Sequence, residues 1–198
     1  MPSAQHEAVI ARLAPHVHAP HLSFEERQAG FAAAAAQLFP TVAADVKTED
    51  IDAGGIPAEW VSVPESRDDR VVFYLHGGGY TQGSPATHRE LASRVARRSQ
   101  ARALSVDYRL APEHPYPAGL DDALATYAAL AAMFPGERIA LVGDSAGGGL
   151  ALALLARILR DGLHKPASVY CMSPWADLTD RASSRTGKAA LDPLASSA

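Results

Sequence analysis

A single cysteine, Cys171, stands in a chain of 198 residues. One thiol excludes an internal disulfide and fits a reducing compartment. It sits in an apolar strand pattern and reads as a buried packing residue, not a nucleophile. Basic residues are in deficit: 18 Lys and Arg against 22 Asp and Glu leave a net charge of −4. That balance gives no electrostatic footprint for nucleic acid. No uninterrupted apolar run reaches the ~18 residues of a membrane span. The N-terminus has neither a basic n-region nor an apolar h-region, so no secretory signal is expected and the expected location is cytoplasmic. What remains, 47% hydrophobic and 20% charged residues, is the composition of a globular domain with a core of its own.

Against these absences one stretch stands out, Arg138–Gly149. An apolar run, Ile139 to Val142, stops at Gly143; Asp144, Ser145, Ala146 and Gly147 follow, and an Ala/Leu helix pattern begins at once. G-x-S-x-G between a strand and a helix is the pattern of a nucleophile elbow. The sharp turn forces Ser145 into a strained backbone geometry and holds its hydroxyl at the carboxyl end of the sheet. The new helix aims its free N-terminal amides at the same place. Taken alone, the pattern is also that of a glycine-rich turn with an incidental serine.

A second motif separates the two readings. The apolar run Val71–Leu75 ends in His76, followed by Gly77, Gly78, Gly79 and Tyr80. Acyl transfer passes through a tetrahedral oxyanion and needs backbone N–H donors where that charge develops. A glycine run brings the backbone close without a Cβ in the way, and His-Gly-Gly-Gly is the loop that accompanies G-x-S-x-G in lipases and esterases.

With these motifs, and with the runs Asp107–Ala118 and Ser173–Leu178, the sequence resembles the hormone-sensitive-lipase-like esterases of the α/β-hydrolase superfamily. The resemblance implies an α/β fold with a mostly parallel sheet flanked by helices and an N-terminal helical cap. It implies a serine carboxylesterase, lipase-like in type, acting on short- to medium-chain acyl esters through an acyl-enzyme on Ser145. Gly78, Gly79 and Ala146 would form the oxyanion hole, with His76, Gly77 and Asp144 as motif support. The implied partner is a small-molecule ester, and no cofactor or metal is expected.

In chain order, Glu7–Leu13 reads as a short helix stopped by Pro15. His16, His18 and His21 then cluster around prolines; with no carboxylate or cysteine to complete a metal site, the segment reads as a loop. Ser23 and Glu26 fit a capping box opening a helix through the alanine run to Phe39. By resemblance, residues 1–45 form the cap. Val46–Ile51 and Ile56–Val63 read as an antiparallel hairpin turning at Ala53–Gly55, and Pro64–Asp69 as a polar connector before the strand Val71–Leu75. A helix over Ser84–Gln100 places Leu91 and Val95 on one face and Arg94, Arg97 and Arg98, a solvated basic run, on the other. Ala103–Asp107 is the next strand. Asp107, Arg109, Glu113 and His114 in the proline loop are tempting as acid/base groups; the resemblance implies instead that they brace the strand end near the site. A helix over Asp121–Phe134, a strand over Glu137–Val142, a helix over Gly147–Arg160 and a strand over Ser168–Met172 complete a core of 46–173. Residues 174–198 read as the start of a second cap segment.

One departure from the family is plain. A serine hydrolase needs a base and an orienting acid besides its nucleophile, and in this fold they follow the serine. The family carries them beyond the Ser-Pro-Trp run. His164 is the one histidine after Ser145, and it lies past the far end of a helix of about 20 Å that leads away from the site. His76 and His114 sit in family positions that orient loops, and His88 lies on a helix leading away. Asp177 stands where some α/β-hydrolases carry their acid, but without a base it leaves the serine hydroxyl unactivated. The expectation is a fold missing its last strands and helices, with no triad acid or histidine in this chain. Three readings stay open: an incompletely represented esterase, an inactive remnant that binds short acyl esters or acts as an interaction module through its exposed sheet edge, and half of a complemented enzyme. Without the missing strands, Ser168–Met172 becomes an apolar edge open to pairing with another chain, and the isolated chain is expected to associate or aggregate.

Overall fold

Alternation along Val71–Leu75 sends successive side chains to opposite faces of the sheet. Val71, Phe73 and Leu75 enter one core and Val72 and Tyr74 a second, so both faces of this strand are covered. The computed structural model describes residues 22–38 and 41–179, together with 3–5, 7, 8 and 11. Residues 41–176 form one compact unit, and residues 1–40 with 177–198 form another.

The larger unit holds a six-stranded sheet. Its strands are β1 (Lys47–Asp52), β2 (Pro57–Ser62), β3 (Arg67–Leu75), β4 (Ala101–Val106), β5 (Ile139–Asp144) and β6 (Ser168–Met172), in the spatial order β1-β2-β4-β3-β5-β6. β1 and β2 form the expected antiparallel hairpin, and β2 is antiparallel to β4. From β4 onward every pairing is parallel.

Helices cover both faces, as parallel strands require. On one face lies α2 (Pro85–Ser99), whose Ala92 and Ala96 pack under Val72, Tyr74 and Val142. On the other lie α3 (Ala118–Met133) and α4 (Ser145–Arg160), which bring Tyr127, Leu130, Leu150, Leu154 and Ile158 against Phe73, Leu104, Ile139 and Leu141. In the smaller unit, α1 (Phe24–Leu38) opens on the expected capping box. Glu26 N–H donates to Ser23 Oγ at 3.2 Å, and Ser23 N–H to Glu26 Oε2 at 2.7 Å. His16, His18 and His21, and most of the helix expected at Glu7–Leu13, lie outside the described residues.

Several boundaries differ from the sequence reading. The connector expected at Pro64–Asp69 is half strand: Arg67 pairs with Ala101 and its N–H donates to Gln100 O at 3.1 Å, before a register shift leads into Val71. A 3-10 turn over Gly136–Arg138 takes the start of the strand expected from Glu137. α3 begins three residues early, behind Pro117 at its N-cap. On α2 the fully buried stripe is His88, Ala92 and Ala96, with Leu91 and Val95 half-buried beside it, because small residues let the helix lie close to the sheet. Cys171 is half-buried rather than enclosed, its Sγ 3.5 Å from Gly148 O, and burial raises its thiol pKa.

Candidate active site

The two glycine motifs are brought together by strand register. β3 and β5 are parallel neighbours, with Tyr74 opposite Val142 and Leu75 opposite Gly143. The chain therefore leaves both strands at one end of the sheet, and the two loops meet there. Ser145 turns at φ 51°, in the left-handed region, and stands exposed as the first residue of α4. A non-glycine residue held there is strained and persists only where its surroundings fix it. Ala146 beneath it is fully buried, and first-turn N–H groups such as its own have no intrahelical acceptor. Gly147 is the contact point between α4 and β3: a side chain there would collide with the carbonyl oxygens of Leu75 and His76.

The glycine loop is folded back on itself. Gly78 at φ 121° and Gly79 at φ 63° lie where L side chains rarely go. Gly78 O accepts from Thr81 N–H at 3.2 Å and Gln82 N–H at 3.0 Å. Among the described residues no hydrogen bond engages the N–H of Gly78 or Gly79. The Gly77 N–H is engaged: it donates to Asp144 Oδ1 at 3.1 Å.

Asp144 ties the two loops together. Its Oδ1 also accepts from the Tyr74 hydroxyl at 2.7 Å, and its Oδ2 lies 3.6 Å from His88 Nε2. Burial works to raise its pKa, but His88, Tyr74 and the Gly77 N–H outweigh it and hold the carboxyl below its ordinary value. Burial, together with the Asp144 charge, raises the Tyr74 hydroxyl.

His76 is fully buried and stacks on Tyr108, with ring centroids 4.3 Å apart and planes 15° apart. Its Nδ1 lies 2.8 Å from Gly77 O, which assigns the proton to Nδ1. Nε2 is buried without a partner among the described residues. Burial lowers this imidazole from 6.5 to about 4, against the Gly77 carbonyl, which favours the charged form. Tyr108 donates to His76 O at 2.7 Å, and Ala111 N–H to Tyr80 O at 2.9 Å, so the proline loop braces the glycine loop. That loop is anchored in turn by Arg109, which binds the buried Asp122 carboxylate through side chain and backbone. Glu113 and His114 face solvent.

Among the described residues no imidazole hydrogen-bonds the Ser145 hydroxyl. His164 lies beside Gly136 at the amino end of β5, and its carbonyl accepts from Tyr127 OH at 2.5 Å. Ser145 follows the carboxyl end of the same strand, six residues and so roughly 20 Å away. Asp177, in the smaller unit, accepts from Thr179 N–H at 2.8 Å and from its Oγ1 at 2.6 Å. After β6 the chain returns to the elbow, where Trp175 N–H donates to Ser145 O at 2.8 Å.

His88 is the residue whose contact sequence reasoning missed. It lies on the expected helix, in the first turn, and faces Asp144. The signal was its spacing, four and eight residues before Ala92 and Ala96, which puts it on the sheet-facing stripe. Among the described residues no cluster of His, Cys, Asp or Glu could hold a metal ion.

A family described as alpha/beta hydrolase fold matches residues 72–197. The chain belongs to the alpha/beta-hydrolase fold family. Within it, the chain is 43% identical over 145 residues to an acetyl-hydrolase of Streptomyces hygroscopicus, covering 73% of this chain and 48% of that protein. It is 44% identical over 135 residues to carboxylesterase NlhH of Mycobacterium tuberculosis, covering 63% and 41%. Among alpha/beta-hydrolase structures, an esterase from the bacterial hormone-sensitive lipase family superposes with a TM-score of 0.93 at 39% identity, over 99% of this chain and 66% of that one. The esterase EstE5, soaked with p-nitrophenyl butyrate, gives 0.89 at 37% identity, over 98% and 65%. The hormone-sensitive-lipase-like resemblance and the mostly parallel, helix-flanked sheet are thus borne out. The chain spans about half the length, or less, of these curated relatives. No helix among the described residues is long and apolar enough to cross a membrane.

Proposed function

We propose that the protein is a carboxylic ester hydrolase in which Ser145 Oγ attacks the carbonyl carbon of a small ester. Gly78, Gly79 and Ala146 donate N–H groups to the oxyanion; the alcohol leaves, and water releases the acyl group from Ser145. The carrying observation is the exposed Ser145 at φ 51°, at the head of α4 and level with the glycine loop of the adjacent parallel strand. Esterase and acetyl-hydrolase relatives support the ester class, and the family resemblance supports short to medium acyl chains. The lone cysteine supports a reducing compartment, the cytoplasm.

On this reading Ser145 is the nucleophile and Gly78, Gly79 and Ala146 the oxyanion donors, while no base is bonded to Ser145 among the described residues. Turnover by this chain alone is therefore expected to be weak, within the roughly 10³–10⁴-fold over water that remains when a triad member is removed. The test is labelling with a fluorophosphonate, mapped by mass spectrometry, beside hydrolysis of p-nitrophenyl acetate, butyrate and palmitate. Slow labelling at Ser145, lost in Ser145→Ala, with acetate and butyrate preferred, is the expected result. Labelling that Ser145→Ala leaves unchanged overturns the proposal. That no imidazole bonds Ser145 among the described residues favours a second reading, ester binding without turnover; robust Ser145-dependent hydrolysis would sink it.

A further inference from the structure

The glycine loop is held by a carboxylate, and that carboxylate is itself held from behind. Asp144 Oδ1 binds the Gly77 N–H and the Tyr74 hydroxyl, while Oδ2 faces His88 Nε2 at 3.6 Å. His88 is buried, with its ring centroid 5.4 Å from that of His76 and 6.4 Å from that of Tyr74. Its other nitrogen, Nδ1, lies 2.9 Å from Thr87 Oγ1, which is also 2.9 Å from both the N and the O of Ser84. These Ser84–Thr87 contacts belong to the capping box that starts α2.

The Thr87 hydroxyl has one hydrogen to give. If it goes to Ser84 O, Nδ1 carries a proton and donates to Thr87. If it goes to Nδ1, the ring proton sits on Nε2. A bare Nε2 lone pair facing a carboxylate is repulsive, which selects the second arrangement for the neutral ring: Nδ1 accepts from Thr87 Oγ1 and Nε2 presents N–H to Asp144. The start of α2 thus sets the ring, the ring sets the carboxylate, and the carboxylate fixes the first peptide of the glycine loop.

We propose that His88 is a positioning residue for the oxyanion hole: by backing the Asp144 carboxylate it holds the Gly77 N–H and so aims the Gly78 and Gly79 amides at Ser145. This deepens the esterase reading and rests on it for the word oxyanion; the mechanical link from His88 to Gly77 does not need it. His88 touches no reacting atom. Its role is carried through Asp144, which precedes the nucleophile in sequence and reaches the opposite loop in space.

The experiment compares His88→Leu, which fills space without a donor, with His88→Gln, whose amide keeps one. The first readout is hydrogen exchange at the Gly77 amide by NMR, with the α3 amides as a control for global stability. The second is the rate of Ser145 labelling by a fluorophosphonate. His88→Leu is expected to speed Gly77 exchange about tenfold, through loss of a partner to a charge-assisted bond. It should slow labelling by a similar factor, less than deletion of an oxyanion donor does. His88→Gln should stay near wild type in both. His88→Met replaces His88→Leu if the latter does not fold. Unchanged Gly77 exchange in a Leu or Met variant with protected α3 amides overturns the proposal, as does a Gln variant as impaired as the apolar one. If wild type is labelled independently of Ser145, the esterase reading falls, while the exchange comparison still decides the link.

Discussion

His76 shows how one side chain can couple the site to acidity. Buried against Tyr108 and kept neutral, it has a pKa of about 4 in the folded chain against 6.5 ordinarily. Above 6.5 the ring is neutral in both states and its contribution to stability is complete. As pH falls through 6.5 the unfolded chain takes up a proton that the folded one refuses, so stability declines until about pH 4 and then levels off. A displacement of that size is worth on the order of 3 kcal/mol. The urea midpoint should therefore drop between pH 7 and pH 4.5, and His76→Phe should flatten that slope; equal slopes would show that His76 is not the group responsible. Asp144 acts lower on the scale. Its depressed carboxyl contributes above the unfolded carboxylate value and loses that contribution as pH falls through its folded pKa. At this scale Ser145 and the three glycines were legible in the sequence, because a strained elbow and a bare loop need fixed residue types at fixed spacings. His88 was not legible as a partner of Asp144. Nothing local joins positions 88 and 144; only the packing of α2 on the sheet does.

Among elements, the seam between β2 and α2 carries a charge that has little water. Glu59 on β2 is 4% exposed, and Arg89 on α2 covers it with three hydrogen bonds, its own side chain 35% exposed. Removing the arginine strands a buried carboxylate. Arg89→Met is expected to lower stability by about 2–3 kcal/mol in urea denaturation. That is below the ~3–5 kcal/mol of a fully enclosed pair, because the arginine end reaches solvent. Replacing both partners by apolar residues should recover most of the loss; a double variant as weak as the single one would show that the pair's contribution is more than charge compensation. Element order and type followed from the apolar periods, while boundaries moved where polar residues joined a ladder. Arg67 reads as connector by composition, yet its backbone pairs with Ala101 and its guanidinium binds Asp69 at 2.8 Å. A strand's outer end needs only backbone partners, and those leave no mark on hydropathy.

For the whole molecule, the sheet is unequal at its two sides. β1 closes one side with a polar sequence, Lys-Thr-Glu-Asp-Ile-Asp, mostly exposed and heavily charged, as edge strands tend to be. β6 ends the other side among the described residues, and its sequence, Ser-Val-Tyr-Cys-Met, has no charge to discourage pairing. Tyr170 is 62% exposed there. We expect this chain to associate at micromolar concentration by light scattering, and Tyr170→Lys to reduce the association. A single-chain mass across the range, for the unaltered sequence, would sink that expectation.

The same strand order fixes when the site can exist during synthesis. β1 to β4 leave the ribosome first, and in space they are contiguous, ending on β3. Any sheet formed by that nascent chain carries the glycine loop but no nucleophile, and β3, later enclosed, is then its bare margin. Only when β5 emerges and docks along β3 do Tyr74 and Gly77 acquire Asp144. Translation therefore passes through an interval in which Val71–Leu75, fully buried in the finished sheet, lie uncovered along one side, and a pause before residue 139 would lengthen it.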